Sequence, residues 1–387
     1  MRARIIILTI GTIYLAGCLI LAVILGEFAF HPARVPIDKR PEAEAMAARF
    51  GAELQDVSTH SDDGTSLEAW FVRPNRAAGN AVILLHGIGD NRQGMLGLAE
   101  LFLAHGFSVL LPDSRGQGTS GGILTYGVKE RNDVRQWFEW LNGHEKPRCI
   151  YGMGESMGAA IALQSIREVP FCAVVAESPF ANFRDIAWIR VGQFFGSLNW
   201  LGRLALRPAM EFAFLYCRFK YGVSLSSVSP ERSVIGNRVP VLLIHGMSDT
   251  NVPYQQSERI FRRNPSSITF WRVPNAGHCG AMNADGREFE TRVFGWLSSL
   301  SNRSSRSDGL NPRGQLPLGA CVRNPETRPL CIALGAAACL GGHRCQIAAM
   351  IEGVAHACLK QRRLQAPAAH LGDGGRTAEQ GNTLMHT

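Results

Sequence analysis

Gly154-Glu155-Ser156-Met157-Gly158 lies between the apolar run Cys149 to Gly152 and the small-residue run Ala159 to Ala162. The first run reads as a buried strand and the second as the start of a helix, so this G-x-S-x-G is a strand-to-helix turn. A turn that sharp brings the neighbours of Ser156 so close that only glycine fits easily at Gly154 and Gly158. It holds the Ser156 hydroxyl exposed, and it aims the Met157 N–H at the point where an oxyanion would form. The pentapeptide alone is common in glycine-rich sequence; the strand before it and the helix after it give it weight.

Three other strand ends carry chemistry-bearing residues. His86-Gly87-Ile88-Gly89 follows the buried strand Ala81 to Leu85, and its glycine-flanked loop can present the Ile88 N–H as a second oxyanion donor. His86 itself reads as a structural hydrogen-bonding residue. His245-Gly246-Met247-Ser248-Asp249-Thr250-Asn251-Val252-Pro253 follows the strand Pro240 to Ile244, and Asn275-Ala276-Gly277-His278 follows Ile268 to Val273. In an open parallel sheet ligands bind at the carboxyl ends of the strands, so Ser156, Asp249 and His278 are expected to converge. Serine does not deprotonate unaided at neutral pH; His278 would take its proton, and Asp249 would fix the imidazole tautomer and stabilise the imidazolium. Glu177, just past the preceding strand, is the rival for the acid. The plainer alternatives are a turn aspartate and a surface histidine.

Around these motifs short apolar strands alternate with helical segments, which predicts an α/β fold with a mostly parallel, doubly wound sheet over 52–300. Leu54 to Thr59 and Leu67 to Phe71, on either side of Asp62-Asp63-Gly64, predict a leading hairpin. Phe289, Val293, Trp296 and Leu300 mark one face of a closing helix. The interval 179–239 is too long for an ordinary connection and carries Trp188, Phe194, Phe195, Trp200, Phe212, Phe214 and Tyr216, so it is expected to form a helical cap, with Trp188, Phe194, Phe195 and Trp200 at an apolar entrance. Residues 301–387 show no sustained period and are expected to be a disordered extension.

Arg2 and Arg4 precede an apolar run from Ile5 to Leu25, about 21 residues or some 31 Å of helix, enough to cross a bilayer core. The expectation is a membrane anchor over 1–26 and a tether over 27–51, with the N-terminus cytoplasmic and the remainder exported. Two competing readings share the exported location. One is a lipoprotein, since Leu15-Ala16-Gly17-Cys18 matches a lipobox, and the other is a cleaved signal peptide. Of the ten cysteines, Cys149, Cys172, Cys217 and Cys279 read as buried thiols, and no spacing suggests a metal site. The formal charge of +8 comes largely from the segment after Leu300, where ten basic residues face five acidic ones. No basic helix with interleaved aromatics accompanies it, so nucleic acid is not an expected partner.

With Asp113-Ser114-Arg115-Gly116-Gln117-Gly118-Thr119-Ser120 as a D-x-R-G-x-G-x-S turn, four motifs stand in a single order. From about Leu54 to Leu300 the chain resembles the alpha/beta-hydrolase superfamily, in particular bacterial proteins similar to serine aminopeptidases and monoacylglycerol lipases. The resemblance implies a cap that shapes substrate choice, and Asp113 and Arg115 tying the loop near the oxyanion hole. The N-terminal anchor and the cysteine-bearing tail match no motif of that family. The expected activity is hydrolysis of an ester or similar acyl bond through an acyl-enzyme, with a small acyl compound as substrate. A peptidase acting on a short peptide and a silent binding protein on the same fold are the alternatives. Neither a metal nor an organic cofactor is required.

Overall fold

The computed structural model describes residues 1–194 and 200–307. Two helices, α1 (Arg2–Phe30) and α2 (Arg40–Arg49), lead into strands β1 (Leu54–His60), β2 (Ser66–Val72) and β3 (Asn80–Leu85). Then follow α3 (Leu96–Ala104), β4 (Ser108–Pro112), α4 (Glu130–Glu145), β5 (Cys149–Glu155), α5 (Met157–Ser165) and β6 (Val174–Glu177). The cap interval holds α6 (Phe183–Phe194), α7 (Trp200–Tyr221) and the short α8 (Pro230–Ser233). The chain then returns through β7 (Val241–Gly246), α9 (Gln255–Arg263), β8 (Ile268–Val273), α10 (Ala281–Ala284) and α11 (Gly286–Ser307).

The eight strands form one sheet in the order β1-β2-β4-β3-β5-β6-β7-β8. Strand β2 runs antiparallel to both β1 and β4, and every pair from β4 to β8 is parallel. Strand β3 shows why the sheet is covered on both faces. Ala81, Ile83 and Leu85 enter one core with Trp137 of α4 and Ile161 of α5, while Val82 and Leu84 enter the other with Phe102 of α3 and Phe289 of α11. A strand buried on both faces reads as a continuous apolar run rather than an alternation, as Ala81 to Leu85 does.

Several details differ from expectation. Helix α1 runs to Phe30, and it is long and apolar enough to cross a membrane by length and composition. The segment 27–51 does not run free. Arg34 donates to the carbonyls of Gly118 and Ser120 at 3.0 and 2.8 Å, Gln93 Oε1 accepts from the Asp38 and Lys39 amides, and Ala43, Met46 and Ala47 of α2 are buried. Cys149 and Cys172 are not free thiols but a disulfide with Cα atoms 5.7 Å apart. Cys149 opens β5 and Cys172 shortly precedes its neighbour β6, so the strand order, not their spacing in sequence, brings them together. Cys18, Cys217 and Cys279 are free among the described residues. Residues 301–307 continue α11; the rest of the expected extension, and Phe195 of the cap, lie outside the described residues.

Candidate active site

At the end of β5 the chain turns into α5 with Ser156 at φ 52° and ψ −112°, a region that non-glycine residues seldom occupy. The turn is held by contact on both sides. A Cβ on Gly154 would lie 2.4 Å from the Gly158 carbonyl carbon, and one on Gly158 would lie 2.0 Å from Leu85 O. The Ser156 amide donates to Glu177 O at 2.8 Å, which ties the turn to β6. Met157 is the first residue of α5, where an N–H has no acceptor within its own helix.

The three residues from separate strand ends meet here. His278 Nδ1 lies 2.7 Å from Asp249 Oδ2, and Nε2 lies 2.9 Å from Ser156 Oγ. A carboxylate only accepts, so Nδ1 carries the proton, and the Nε2 lone pair faces the serine hydroxyl. Asp249 is firmly seated: Oδ1 accepts from the amides of Asn251 and Val252 at 2.9 and 2.8 Å. Burial alone would raise its pKa. The bonds from His245, His278 and Val252 outweigh that and hold the carboxyl well below the usual range, so it is ionised at neutral pH.

The sequence assigns His245 no part beyond its place in the motif. It is fully buried at the end of β7, with Nε2 2.8 Å from Val252 O and 3.2 Å from Asp249 Oδ2, while Nδ1 lies 2.7 Å from Ser257 Oγ. The ring therefore donates from Nε2, fixing the turn that carries Asp249, and accepts the Ser257 proton at Nδ1. Gly246 is a second unforeseen element. A Cβ there would lie 2.3 Å from both Ala276 O and Gly277 O, so the missing side chain lets the Asp249 loop close against the His278 loop.

Glu177 does not contact the histidine. Its Oε1 accepts from the Ala281 amide at 2.9 Å, just beyond His278, and Ser178 Oγ accepts from the Cys279 amide. Burial pushes the Glu177 pKa up to about 7 against that hydrogen bond. Glu155, beside the serine, is pushed up to about 8 by burial and by the charges of Glu177 and Asp90. Burial and these carboxylates also raise the Cys279 thiol far above its ordinary value.

His86 is buried at the end of β3, where Nδ1 lies 2.8 Å from Gly87 O and Nε2 accepts from the Ser114 amide at 3.0 Å. Burial lowers its pKa, which suits a neutral ring that ties two loops together. Asp113 accepts from the Arg92 amide and guanidinium and from the Thr119 amide, so it does fix the segment after Ile88. Arg115 departs from expectation. Its guanidinium faces Asp133 of α4 and Asp63 and Ser61 of the β1–β2 turn, and so braces the hairpin. Neither Ile88 nor Met157 donates its N–H in a hydrogen bond among the described residues. Trp188 and Trp200 line a cleft of about 820 Å³ between α6 and α7 together with Ile189 and Leu204, and with the charged Arg184, Asp185, Arg203, Arg207 and Glu211. None of Ser156, Asp249 and His278 lines it. Among the described residues no cluster of ligating side chains could hold a metal ion.

The Alpha/beta hydrolase family profile matches residues 82–291, which span β3 to α11. An uncharacterized Bacillus subtilis protein, YqkD, is 26% identical over 246 residues, covering 62% of this chain and 77% of its own. The Danio rerio lysophosphatidylserine lipase ABHD12 is 25% identical over 202 residues, which cover 50% of this chain and 49% of the lipase. Among solved structures, the Pyrococcus furiosus esterase Pf2001 superposes with a TM-score of 0.56 at 26% identity, over 70% of this chain and 97% of the esterase. With the profile covering more than half of its length, the chain belongs to the alpha/beta hydrolase family.

Proposed function

We propose that the protein is a membrane-anchored serine hydrolase that cleaves an ester or similar acyl bond through an acyl-enzyme. The observation that carries this reading is the continuous relay from Asp249 through His278 to the Ser156 hydroxyl. His278 Nε2 takes the hydroxyl proton as Oγ attacks the acyl carbon, and Asp249 balances the imidazolium charge. The carbonyl oxygen, now negative, receives the N–H groups of Ile88 and Met157. His278 then returns its proton to the leaving alcohol, and water repeats the sequence to release the acid. The esterase and lipase among the related proteins support an ester over a peptide bond.

An uncleaved anchor is supported by how α1 packs. Its buried positions Cys18, Ala22, Gly26 and Phe30 recur every four residues, and the first three have the small-residue spacing of closely paired membrane helices. A Cβ on Gly26 would meet the Tyr216 ring at 2.7 Å, so α7 presses directly on the α1 backbone. Arg2 and Arg4 ahead of the apolar run favour an exported domain, and the Cys149–Cys172 disulfide suits that compartment.

The test is hydrolysis of p-nitrophenyl esters from two to sixteen carbons by the full chain in detergent, beside the Ser156→Ala variant. The proposal expects turnover that depends on acyl length and falls to the uncatalysed level in the variant. Turnover retained in Ser156→Ala would remove Ser156 from the mechanism.

A further inference from the structure

Helices α1 and α7 lie side by side and run in the same direction. Tyr14 Oη donates to Ala205 O at 2.6 Å near one end, and Glu27 accepts from Lys220 at 2.6 Å and from Tyr221 at 2.8 Å near the other. Along a helix, Tyr14 and Glu27 are about 20 Å apart, while the apolar run from Ile5 to Leu25 matches a hydrocarbon core of about 30 Å. Any membrane that α1 crosses therefore also meets the part of α7 that runs beside it.

The face of α7 turned away from the protein suits that place. Leu201, Leu204, Pro208, Phe212, Leu215 and Phe219 follow each other at steps of three or four residues, forming a single stripe with no charged member. Leu201, Leu204, Leu215 and Phe219 are 53, 58, 47 and 83% exposed, so none of the described residues covers them. Of the five charged residues of α7, four are placed off the stripe. Arg203 and Arg207 line the cleft toward α6, whose rim Leu204 at the edge of the stripe also reaches, Glu211 pairs with Arg184, and Lys220 with Glu27. The stripe continues the equally uncovered apolar face of α1, where Ile10, Ile13 and Ile20 are exposed.

We propose that the α7 stripe is a membrane-seating surface, buried among the acyl chains of the leaflet beside the catalytic domain. This rests on the anchor reading of α1. The cap is then fixed within the bilayer surface, not held above it, and an amphiphilic ester reaches the enzyme laterally from the leaflet. The Glu27, Lys220 and Tyr221 cluster marks the level of the water interface, where aromatic and charged side chains concentrate. The Arg203 and Arg207 guanidiniums face the cleft toward α6, where Asp185 and Glu211 supply carboxylates, and not the stripe.

The test places the photo-crosslinking residue p-benzoylphenylalanine at Phe212, Phe219, Ile10 or Glu100, one at a time. Each full-length protein is reconstituted in phosphatidylcholine vesicles with a minor share of phosphatidylglycerol, and adducts are read by mass spectrometry. Ile10 controls for the anchor and Glu100, exposed on α3, for chance contact. The proposal expects phospholipid adducts at Phe212, Phe219 and Ile10 but not at Glu100. Adducts at Ile10 with none at Phe212 and Phe219 would overturn the proposal and leave the anchor standing; no adducts at Ile10 would remove both. Cross-linked dimers through Phe212 and Phe219 would overturn it in favour of a second copy of the chain. As a second readout, Leu201→Glu with Leu215→Glu should slow hydrolysis of a vesicle-borne long-chain umbelliferyl ester by about tenfold and leave soluble p-nitrophenyl butyrate unchanged. Equal loss on both substrates would mean that the stripe supports folding, which also overturns the proposal.

Discussion

At the carboxyl edge of the sheet, Gly154, Gly158 and Gly246 each sit where a Cβ would meet main-chain atoms at 2.4, 2.0 and 2.3 Å. Helix α7 of the cap, by contrast, packs on α1 through side chains such as Tyr216, and Leu201, Leu204, Leu215 and Phe219 of its apolar stripe are left exposed among the described residues. The edge is locked by backbone against backbone, so Ser156, Asp249 and His278 cannot drift, and in-line attack needs that fixity. On the membrane-seating proposal the cap is finished by the bilayer, and its position follows that of α1. The chemistry should accordingly respond to changes at the edge on every substrate. Changes on the cap should matter only where the substrate must be drawn from a bilayer.

The largest effect separates the two acids at the edge. Asp249→Asn should lower turnover by about four orders of magnitude, because an amide at that place no longer enforces the Nδ1–H tautomer of His278. Glu177→Gln keeps an oxygen to accept from the Ala281 amide and should stay within about tenfold of wild type, since its bond positions a loop and takes no part in proton transfer. Both are read with one soluble ester. A crippled Glu177→Gln beside an active Asp249→Asn would reverse the roles.

Next in size is Gly158→Ala. The added methyl has only the Leu85 and His86 carbonyls to move, so the loss should exceed the usual ~1–3 kcal/mol of overpacking and show as failure to fold or a collapse of Tm. On the cap side, Gly26→Val presses a flexible Tyr216 ring instead, and a loss of about 1–3 kcal/mol is expected in detergent, with soluble-ester turnover intact. A Gly26→Val protein that loses turnover in proportion to stability would break the comparison, since cap and edge would then be one rigid unit.

The smallest effect is electrostatic. Glu155 has its pKa raised to about 8 in the folded protein, so between its ordinary value and that one the unfolded chain is ionised and the folded chain is not. Ionisation favours the unfolded state there, and stability should fall as pH rises from about 5 through 8. Glu155→Gln should flatten part of that slope, with Glu177 supplying a similar fall around pH 7. Thermal melts at pH 5, 7 and 9 measure it. A steeper slope in Glu155→Gln would mean that the carboxylate is stabilised in the fold after all.

Much of the edge could be read in the sequence because each piece is local. A strand, a glycine-rich turn and a helix within a few residues announce Ser156, and the strand ends announce Asp249 and His278. What escaped depends on neighbours distant in the chain. Cys149 and Cys172 pair through strand order, and His245 acts through a burial that its place in a motif does not reveal. Cys18, Ala22 and Gly26 look like any apolar helix until α7 is laid against them. The partners of Arg115 escape for the same reason: Asp63 of the β1–β2 turn and Asp133 of α4 lie on either side of it in sequence and are brought together only by the fold.

The central claim is that Ser156 is the nucleophile, activated by the relay that ends at Asp249. It is tested most directly by treating the full chain with a fluorophosphonate and mapping the adduct by peptide mass spectrometry, with Ser156→Ala and Asp249→Asn alongside. The account predicts a single adduct on Ser156 in the wild type, none in Ser156→Ala, and labelling slowed by orders of magnitude in Asp249→Asn. An adduct on another residue, or equal labelling rates in wild type and Asp249→Asn, would contradict it.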